Sequence, residues 1–412
     1  MSSLSWEKTV LSNGTRVLIF PRASDKTALL CLGFEYGSNV DVPSNAGLSH
    51  LLEHMLAGGS TRRVELSRSL EREGGLFNCE TDHEHTLVYA DVLPDKLVKA
   101  AQTLREIAYS QSFEEDRLRK EREIVLHEIA DAKDNPETRV HDMLLTSLFR
   151  THPTGRPISG FSNTVKTISI KMIKESHRIH YAPQNTILVL TGRFNEDEKN
   201  SVLGKFADVP KSRFAQNKPL STEEKKPQKK QTVQKRAGLA QTYVAIGART
   251  VPAKHQNRYA LDVINVLMGY GASSRLFIEL REKNTLTYNV ETRHHVGSDF
   301  GYFSVHCAVK KGKMEKTRSL VRVEFEKVMT HKLPDKELRK CKDMIRGYVL
   351  RTLDDHLGCA GLLIEEETQF QNQHAIRDYL ERIESVSARE IKEIAKEYLT
   401  EDHFSTAILE PT

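Results

Sequence analysis

Three side chains that can bind a metal or transfer a proton lie in one short segment near the start of the chain. His50 and His54 are four residues apart, and Glu53 lies between them in His50-Leu51-Leu52-Glu53-His54. On a helix this spacing places both imidazoles on one face, with the carboxylate at its border. Two imidazoles and one further carboxylate form a common catalytic zinc set that leaves a position for water. Zinc lowers the pKa of that water to about 7, so the segment predicts a hydrolytic site with Glu53 as general base.

A third metal ligand is expected from a distant acidic helix. The predicted helix Glu114–Phe149 offers Glu121 and Glu128, which share one face of the helix. They are about 10.5 Å apart along the helix axis, so they are not expected to bind the same ion directly. One should be the ligand and the other a supporting carboxylate. The spacing alone leaves open which residue has which role.

The segment from His50 to Ser60 resembles the signature of the M16 family of inverzincin zinc peptidases, which includes pitrilysin, insulysin and the mitochondrial processing peptidase. The resemblance selects Glu128, 74 residues after His54, as the third ligand and Glu121 as a catalytic supporting carboxylate. It implies one zinc ion per chain and hydrolysis of peptides or unfolded polypeptide segments inside a clam-shell chamber. Further similarity lies at Tyr89–Leu93, His152–Gly160 and Ser273–Phe277.

A second stretch of the chain is similar to the peptide-binding strand of that family. The run Gly74–Thr81 matches the family pattern Gly-Gly-x-x-Asn-Ala-x-Thr, with Cys79 in place of the usual Ala. The resemblance implies that this edge strand pairs with the substrate backbone. It therefore marks Asn78, Cys79 and Glu80 as substrate-binding residues.

The family resemblance also raises a question about assembly. Active members often hold the substrate with an Arg and a Tyr, about seven residues apart, on a hairpin of the C-terminal half, and Gly301–Lys313 contains no such pair. Either other residues serve, or a second M16-like subunit supplies the pair, so a homodimer or heterodimer is expected. The alternative function is a non-catalytic scaffold or peptide-binding subunit of an M16-like complex.

The elements that position these residues occur in two similar series. Each half is predicted to run strand, helix, hairpin, two helices, helix, strand, with an offset of about 210 residues. Hairpins rather than parallel crossovers predict an α+β fold with duplicated halves, each a mostly antiparallel sheet covered by helices. The predicted domains are 1–210, with the zinc site, and 237–412, without a metal site, joined by a charged linker at 211–236. The predicted helices of the two halves include 46–56, 95–110, 114–149, 171–180, 257–282 with a break at Gly269–Gly271, 314–329, 335–357 and 388–398.

The composition limits which cellular compartment and which classes of binding partner are expected. The 61 basic and 56 acidic residues give a net charge of +5, which is too small to indicate a nucleic-acid partner. Five cysteines without a close pair favour a reducing compartment. We find no secretory signal and no apolar run of the roughly 18 residues that a membrane span requires, so a cytoplasmic location is expected.

Overall fold

Two mixed sheets with the same strand pattern organise the chain in a computed structural model, which describes residues 6–212 and 230–412. The strands are β1 (Glu7–Val10), β2 (Arg16–Pro21), β3 (Ala28–Phe34), β4 (Leu76–Thr81), β5 (Thr86–Val92), β6 (Thr186–Gly192), β7 (Gln231–Arg236), β8 (Thr242–Arg249), β9 (Thr287–Val296), β10 (Gly301–Val309) and β11 (Ser405–Pro411). The α-helices are α1 (Leu48–Gly58), α2 (Thr61–Glu71), α3 (Leu97–Tyr109), α4 (Glu115–Asp134), α5 (Pro136–Leu148), α6 (Ser162–Val165), α7 (Ile170–His180), α8 (Glu196–Ala207), α9 (Arg258–Gly269), α10 (Met314–Thr330), α11 (Asp335–Asp354), α12 (His356–Phe370), α13 (Ala375–Ser385) and α14 (Ala388–Tyr398), and a π-helix spans Phe277–Lys283.

The two sheets share one order of parallel and antiparallel pairs. The first sheet has the order β1-β2-β6-β3-β5-β4, in which only β2 and β6 are parallel. The second has the order β7-β11-β8-β10-β9, in which only β7 and β11 are parallel. Leaving out β1, each strand of the first sheet has a counterpart in the second. The predicted fold class, duplicated α+β halves with mostly antiparallel sheets covered by helices, is therefore confirmed.

Helices cover both faces of the first sheet at its centre. The helix α12 contacts β3 and β6, and α3 contacts β3 and β5. Every residue of β3 and β6 is accordingly buried, whereas exposed and less exposed residues alternate along most of the edge strand β4. Continuous apolar burial marks a strand covered on both sides, and alternation marks one that is covered on one side.

The two compact units of the fold do not follow the order of the sequence. Of the described residues, 6–130, 157–212 and 350–376 form the first unit, and 131–156, 230–349 and 377–412 form the second. The predicted division into 1–210 and 237–412 differs from these units in the placement of two helices, α12 and α5. In the first unit α12 packs on β3 and β6, and in the second α5 packs on β8 and β11. Each sheet is therefore covered by a helix from the other half of the sequence.

The predicted linker at 211–236 is wrong at its C-terminal end. Residues 231–236 form β7, which pairs in parallel with β11 at the edge of the second sheet. The alternation of exposed and half-buried residues in β7 is that of an edge strand with one covered face. Residues 213–229 of this predicted linker lie outside the described residues.

Three predicted helices are divided in the structure. The prediction of one helix over Glu114–Phe149 is wrong, because Pro136 begins α5 and disfavours the helical conformation at Asn135. The Asn135 side chain instead caps α5, accepting hydrogen bonds of 3.0 Å from the backbone N–H groups of Glu137 and Thr138. In the predicted helix 257–282, α9 ends at Gly269, which confirms the predicted break at Gly269–Gly271, and the π-helix follows. The predicted helix 335–357 is divided into α11 and the start of α12. Within residues 6–212 and 230–412, no helix has the length and apolar content needed to cross a membrane.

Candidate metal centre

The helix α1, which carries His50, Glu53 and His54, is fixed at its N-terminus by a buried carboxylate. Asp41 accepts hydrogen bonds from the backbone N–H of Gly47 at 3.0 Å and from the Ser49 N–H at 3.2 Å, and the Ser49 hydroxyl donates to it at 3.0 Å. The first N–H groups of a helix have no partner within the helix, and a negative charge there interacts favourably with the helix dipole. Asp41 therefore sets where the helix begins.

We expect Asp41→Ala to lower the free energy of unfolding by about 2–3 kcal/mol, because several buried donors lose their acceptor. Urea denaturation followed by circular dichroism measures this. Asp208→Ala, at an exposed position after α8, is the matched control and should change the free energy of unfolding by less than about 0.5 kcal/mol. Equal effects of the two substitutions would contradict the capping role.

Glu128 on α4 lies beside both imidazoles of α1. Its Oε2 atom is 3.3 Å from Nε2 of His54 and 3.8 Å from Nε2 of His50. Donor atoms on a tetrahedral zinc ion are about 3–3.5 Å apart, because each lies about 2.0–2.2 Å from the metal. The three residues therefore fit a tetrahedral metal ion with small side-chain movements. Among residues 6–212 and 230–412, they are the one group of three His, Cys, Asp or Glu with ligand atoms within 4.8 Å of one another.

Glu121 faces the other nitrogen of His54. Its Oε2 atom lies 3.5 Å from Nδ1 of His54, so a proton on Nδ1 can point to the carboxylate while Nε2 stays free for a metal. The carboxylate lies against Gly58, where an added Cβ atom would be 1.9 Å from the Glu121 Oε1. The glycine one turn after His54 therefore makes the space that Glu121 occupies.

Glu53 is the carboxylate of α1 that faces the same pocket. Its Oε2 atom is 3.9 Å from Nε2 of His50, and its side chain is 12% exposed. Burial raises the pKa of Glu53 to about 7, although His54 and a hydrogen bond with Thr81 at the end of β4 oppose this shift. A carboxyl with a pKa near neutrality can both accept and return a proton, which is what a general base needs.

The two histidines have different environments. Burial, with a smaller contribution from His54, lowers the pKa of His50 to about 4. Burial also acts to lower the pKa of His54, but the hydrogen bond to Glu121 and the charges of Glu53 and Glu128 outweigh it and raise that pKa. The carboxylates thus gather around His54, and the unprotonated form of His50 is favoured.

The predicted substrate-binding residues lie on β4, at the edge of the first sheet. Within the described residues β4 pairs with β5 and with no other strand, so its outer edge can accept an extended peptide. Asn78 and Glu80 are exposed, and the Tyr89 hydroxyl donates a hydrogen bond of 2.7 Å to Glu80. Cys79, in contrast, is buried in the hydrophobic core beneath α1. Its side chain cannot meet a peptide at this edge, so only its backbone is placed to do so.

An Arg–Tyr pair that the sequence analysis missed lies at the start of the β9–β10 hairpin. Arg281 in the π-helix and Tyr288 in β9 are seven residues apart, and the Arg281 guanidinium carbon is 4.4 Å from the Tyr288 ring centroid. The Tyr288 side chain is 79% exposed. The pair lies before Gly301–Lys313, which itself contains no Arg–Tyr pair, so this chain has a candidate pair of its own. The seven-residue spacing of Arg281 and Tyr288 is readable from the sequence, one strand before Gly301.

Comparison with protein-family models identifies the chain. Residues 16–161 match the model described as insulinase, peptidase family M16, and residues 167–345 match the model described as peptidase M16 inactive domain. The chain belongs to the M16 peptidase family. The first match contains the α1 and α4 residues described above. The second covers most of the second unit, where the described residues include no group of three ligands.

Two relatives of this M16 chain match nearly its whole length. It is 28% identical over 408 residues to an uncharacterised zinc protease of Mycobacterium leprae, covering 98% of this chain and 91% of that protein. It is 24% identical over 404 residues to an uncharacterised zinc protease of Bacillus subtilis, covering 97% of each.

Solved structures share the fold of the whole M16 chain. A protease from Helicobacter pylori superposes with a TM-score of 0.92 at 23% identity, covering 98% of this chain and 99% of that one. A structure from Pseudomonas fluorescens described as a peptidase M16 inactive domain has a TM-score of 0.89 at 20% identity, with 99% and 98% coverage. A chain of complex III from Candida albicans has a TM-score of 0.85 at 17% identity, with 98% and 95% coverage.

Proposed function

We propose that this M16 chain is a zinc-dependent metalloendopeptidase that hydrolyses peptides or unfolded polypeptide segments. The observation that carries the proposal is the convergence of His50, His54 and Glu128, whose ligand atoms lie within 4.8 Å of one another. Two imidazoles and one carboxylate are a ligand set of catalytic zinc, and they leave one position for a reactant. The zinc proteases named among the relatives support the choice of metal.

Glu53 is the acid–base residue of the proposed reaction. When bound, zinc supplies Lewis acidity to the attacking water and the scissile carbonyl. Glu53 takes a proton from the water as its oxygen attacks the carbonyl carbon, and returns that proton to the leaving amine nitrogen as the C–N bond breaks. Glu121 holds the proton at Nδ1 of His54, which keeps Nε2 available as a ligand. The small exposed fraction of Glu53, 12%, limits competition from bulk water.

The substrate is proposed to lie extended along the outer edge of β4. Backbone N–H and C=O groups of this strand would bind the peptide main chain, and Asn78 and Glu80 would contact its side chains. Such pairing needs an extended segment, so the proposed substrates are peptides and unfolded chains rather than folded domains.

Arg281 and Tyr288 are proposed to hold the substrate in the same reaction. We expect Arg281→Ala and Tyr288→Phe each to lower kcat/KM by about 10–100-fold, since each removes a polar contact made in the transition state. Steady-state kinetics on a quenched peptide measures this. Arg318→Ala, on the surface of α10, is the control and should leave kcat/KM within a factor of two. Unchanged kinetics for both test variants would exclude the pair from substrate binding.

Glu121→Gln is expected to weaken zinc binding by about 10–100-fold. This is the usual effect of losing a carboxylate that contacts a metal ligand rather than the metal itself. The amide of Gln can still accept a hydrogen bond from His54, but it carries no negative charge. Competition with a fluorescent chelator measures the zinc dissociation constant. Glu123→Gln, at an exposed position of the same helix, is the matched control, and equal affinities in the two variants would contradict the supporting role of Glu121.

The decisive experiment combines zinc content with peptide cleavage. We expect the purified chain to retain one tightly bound zinc ion, to cleave a quenched unstructured peptide, to lose that activity on chelation and to regain it with added zinc. Full zinc occupancy without turnover, also in the presence of any M16-like chain that copurifies, would instead favour a non-catalytic scaffold. We further propose a clam-shell chamber built by a homodimer or heterodimer of M16-like subunits, which light scattering of the purified protein tests.

A further inference from the structure

Two histidines that have no part in the proposed hydrolysis face each other in the second unit. His141 lies on α5 and His306 on β10, and their ring centroids are 5.3 Å apart with an interplanar angle of 47°. The centroids of His50 and His54, the pair beside Glu128, are 4.9 Å apart. Both histidine pairs thus have a separation that allows two imidazoles to reach one ion.

One ring nitrogen of this pair has no hydrogen-bond partner. Nδ1 of His141 is buried and has no hydrogen-bond partner. Nε2 of His306 is 3.0 Å from the Ser304 hydroxyl, and this contact orients the ring. A buried imidazole nitrogen without a partner is costly, and a metal ion or a proton donor would offset that cost.

Burial also keeps both rings uncharged near neutral pH. Burial and, to a smaller extent, the Arg293 guanidinium lower the pKa of His141 to about 4 and that of His306 to about 3. Neutral imidazoles can bind a metal without first releasing a proton.

A cavity with two carboxylates adjoins the pair. The cavity has a volume of about 420 Å³, and both histidines, Glu137 and Glu291 line it. Glu291 on β9 is the direct cross-strand partner of His306, so their Cβ atoms lie on the same face of the sheet. Glu137 precedes His141 by one turn of α5. The Glu291 carboxylate pairs with Arg293, and a rotation of its side chain is needed before it can join the histidines.

We propose that His141 and His306 form a second, weaker transition-metal site in this chain, with Glu291 as the available third ligand. Imidazole nitrogen binds transition-metal ions such as Cu²⁺ and Zn²⁺, whereas Mg²⁺ and Ca²⁺ prefer oxygen ligands. We therefore expect a higher affinity for Cu²⁺ than for Zn²⁺ and no binding of Mg²⁺ or Ca²⁺. The site is distinct from His50, His54 and Glu128 in residues and in unit. It holds whether or not the chain hydrolyses peptides.

The experiment removes the first site so that the second is measured alone. The full-length, tag-free chain with His50→Ala and His54→Ala is titrated with Zn²⁺ under equilibrium dialysis. We expect one zinc ion per chain, and loss of that ion when either His306→Ala or His141→Ala is added. In the chain with the first site intact, each of the latter substitutions should reduce the zinc content at saturation from two ions to one.

Two further measurements guard against misfolding and unspecific binding. The first is electron paramagnetic resonance of the first-site variant, the chain with His50→Ala and His54→Ala, after one equivalent of Cu²⁺ is added. We expect a spectrum of Cu²⁺ coordinated by two imidazole nitrogens. This measurement leaves His141 and His306 unsubstituted, so it does not depend on how substitutions there affect folding. The control His331→Ala, at an exposed position after α10, should leave the zinc content unchanged. A first-site variant that binds no zinc, or one that keeps its zinc after both histidines are replaced, would overturn the proposal.

Discussion

Glu53→Gln is expected to reduce kcat for a quenched peptide by about 10³-fold and to leave one zinc ion per chain. The amide has the shape of the carboxylate but cannot take a proton from water, and a positioned general base contributes about 10²–10⁴ to the rate. Zinc content should not change, because Glu53 lies outside the His50–His54–Glu128 group. Single-turnover kinetics together with elemental analysis of the same sample measures both quantities.

The control for this prediction is Glu123→Gln. Glu123 is an exposed carboxylate five residues before Glu128 on α4, so the substitution makes the same chemical change next to the site without reaching it. We expect its kcat to remain within a factor of two of the unchanged chain. If Glu53→Gln also kept its kcat with zinc bound, the proton would have to be taken by another group, and Glu53 would not be the base.

The relation between the two histidines could be predicted because it depends on one helix. The 3.6-residue period places His50 and His54 on one face wherever α1 lies. The choice between Glu121 and Glu128 is different, since it depends on how α4 packs beside α1. The helical period places Glu121 and Glu128 on one face but does not show which of them is the metal ligand. The resemblance to the M16 family is what selects Glu128. In the structure Glu128 lies beside Nε2 of both histidines, whereas Glu121 lies beside Nδ1 of His54.

The exchange of helices between units could not be predicted from local pattern. Amphipathic periodicity predicts that a helix has an apolar face, but it does not predict which sheet that face packs against. The helix α12 packs on the first sheet, and His356 at its start lies 2.7 Å from an Asp25 oxygen and 3.0 Å from an Asp91 oxygen. These partners are more than 260 residues away along the chain. The division of the helix at Asn135 and Pro136, by contrast, is readable from the sequence, because a proline disfavours the helical conformation of the residue before it.

Glu128→Gln is the substitution expected to remove the metal itself. It takes away the one anionic ligand of the proposed set, so zinc affinity should fall by more than the roughly 10–100-fold that loss of an outer-shell partner costs. At ordinary zinc concentration the chain should be purified without the metal, and peptide cleavage should fall to background. Chelator competition measures the affinity, and elemental analysis measures the zinc content.

The same chemical change at Glu53 and Glu128 thus predicts two opposite patterns. A Glu53→Gln chain keeps zinc and stays inactive at every zinc concentration, because its defect lies in proton transfer. A Glu128→Gln chain regains part of its activity as zinc is added, because its defect lies in occupancy and its base is intact. If Glu128→Gln retained tightly bound zinc with His141 and His306 also replaced by Ala, the ligand would have to be another carboxylate. Glu121 is the alternative already beside His54, and the double substitution with Glu121→Gln would then be needed to release the ion.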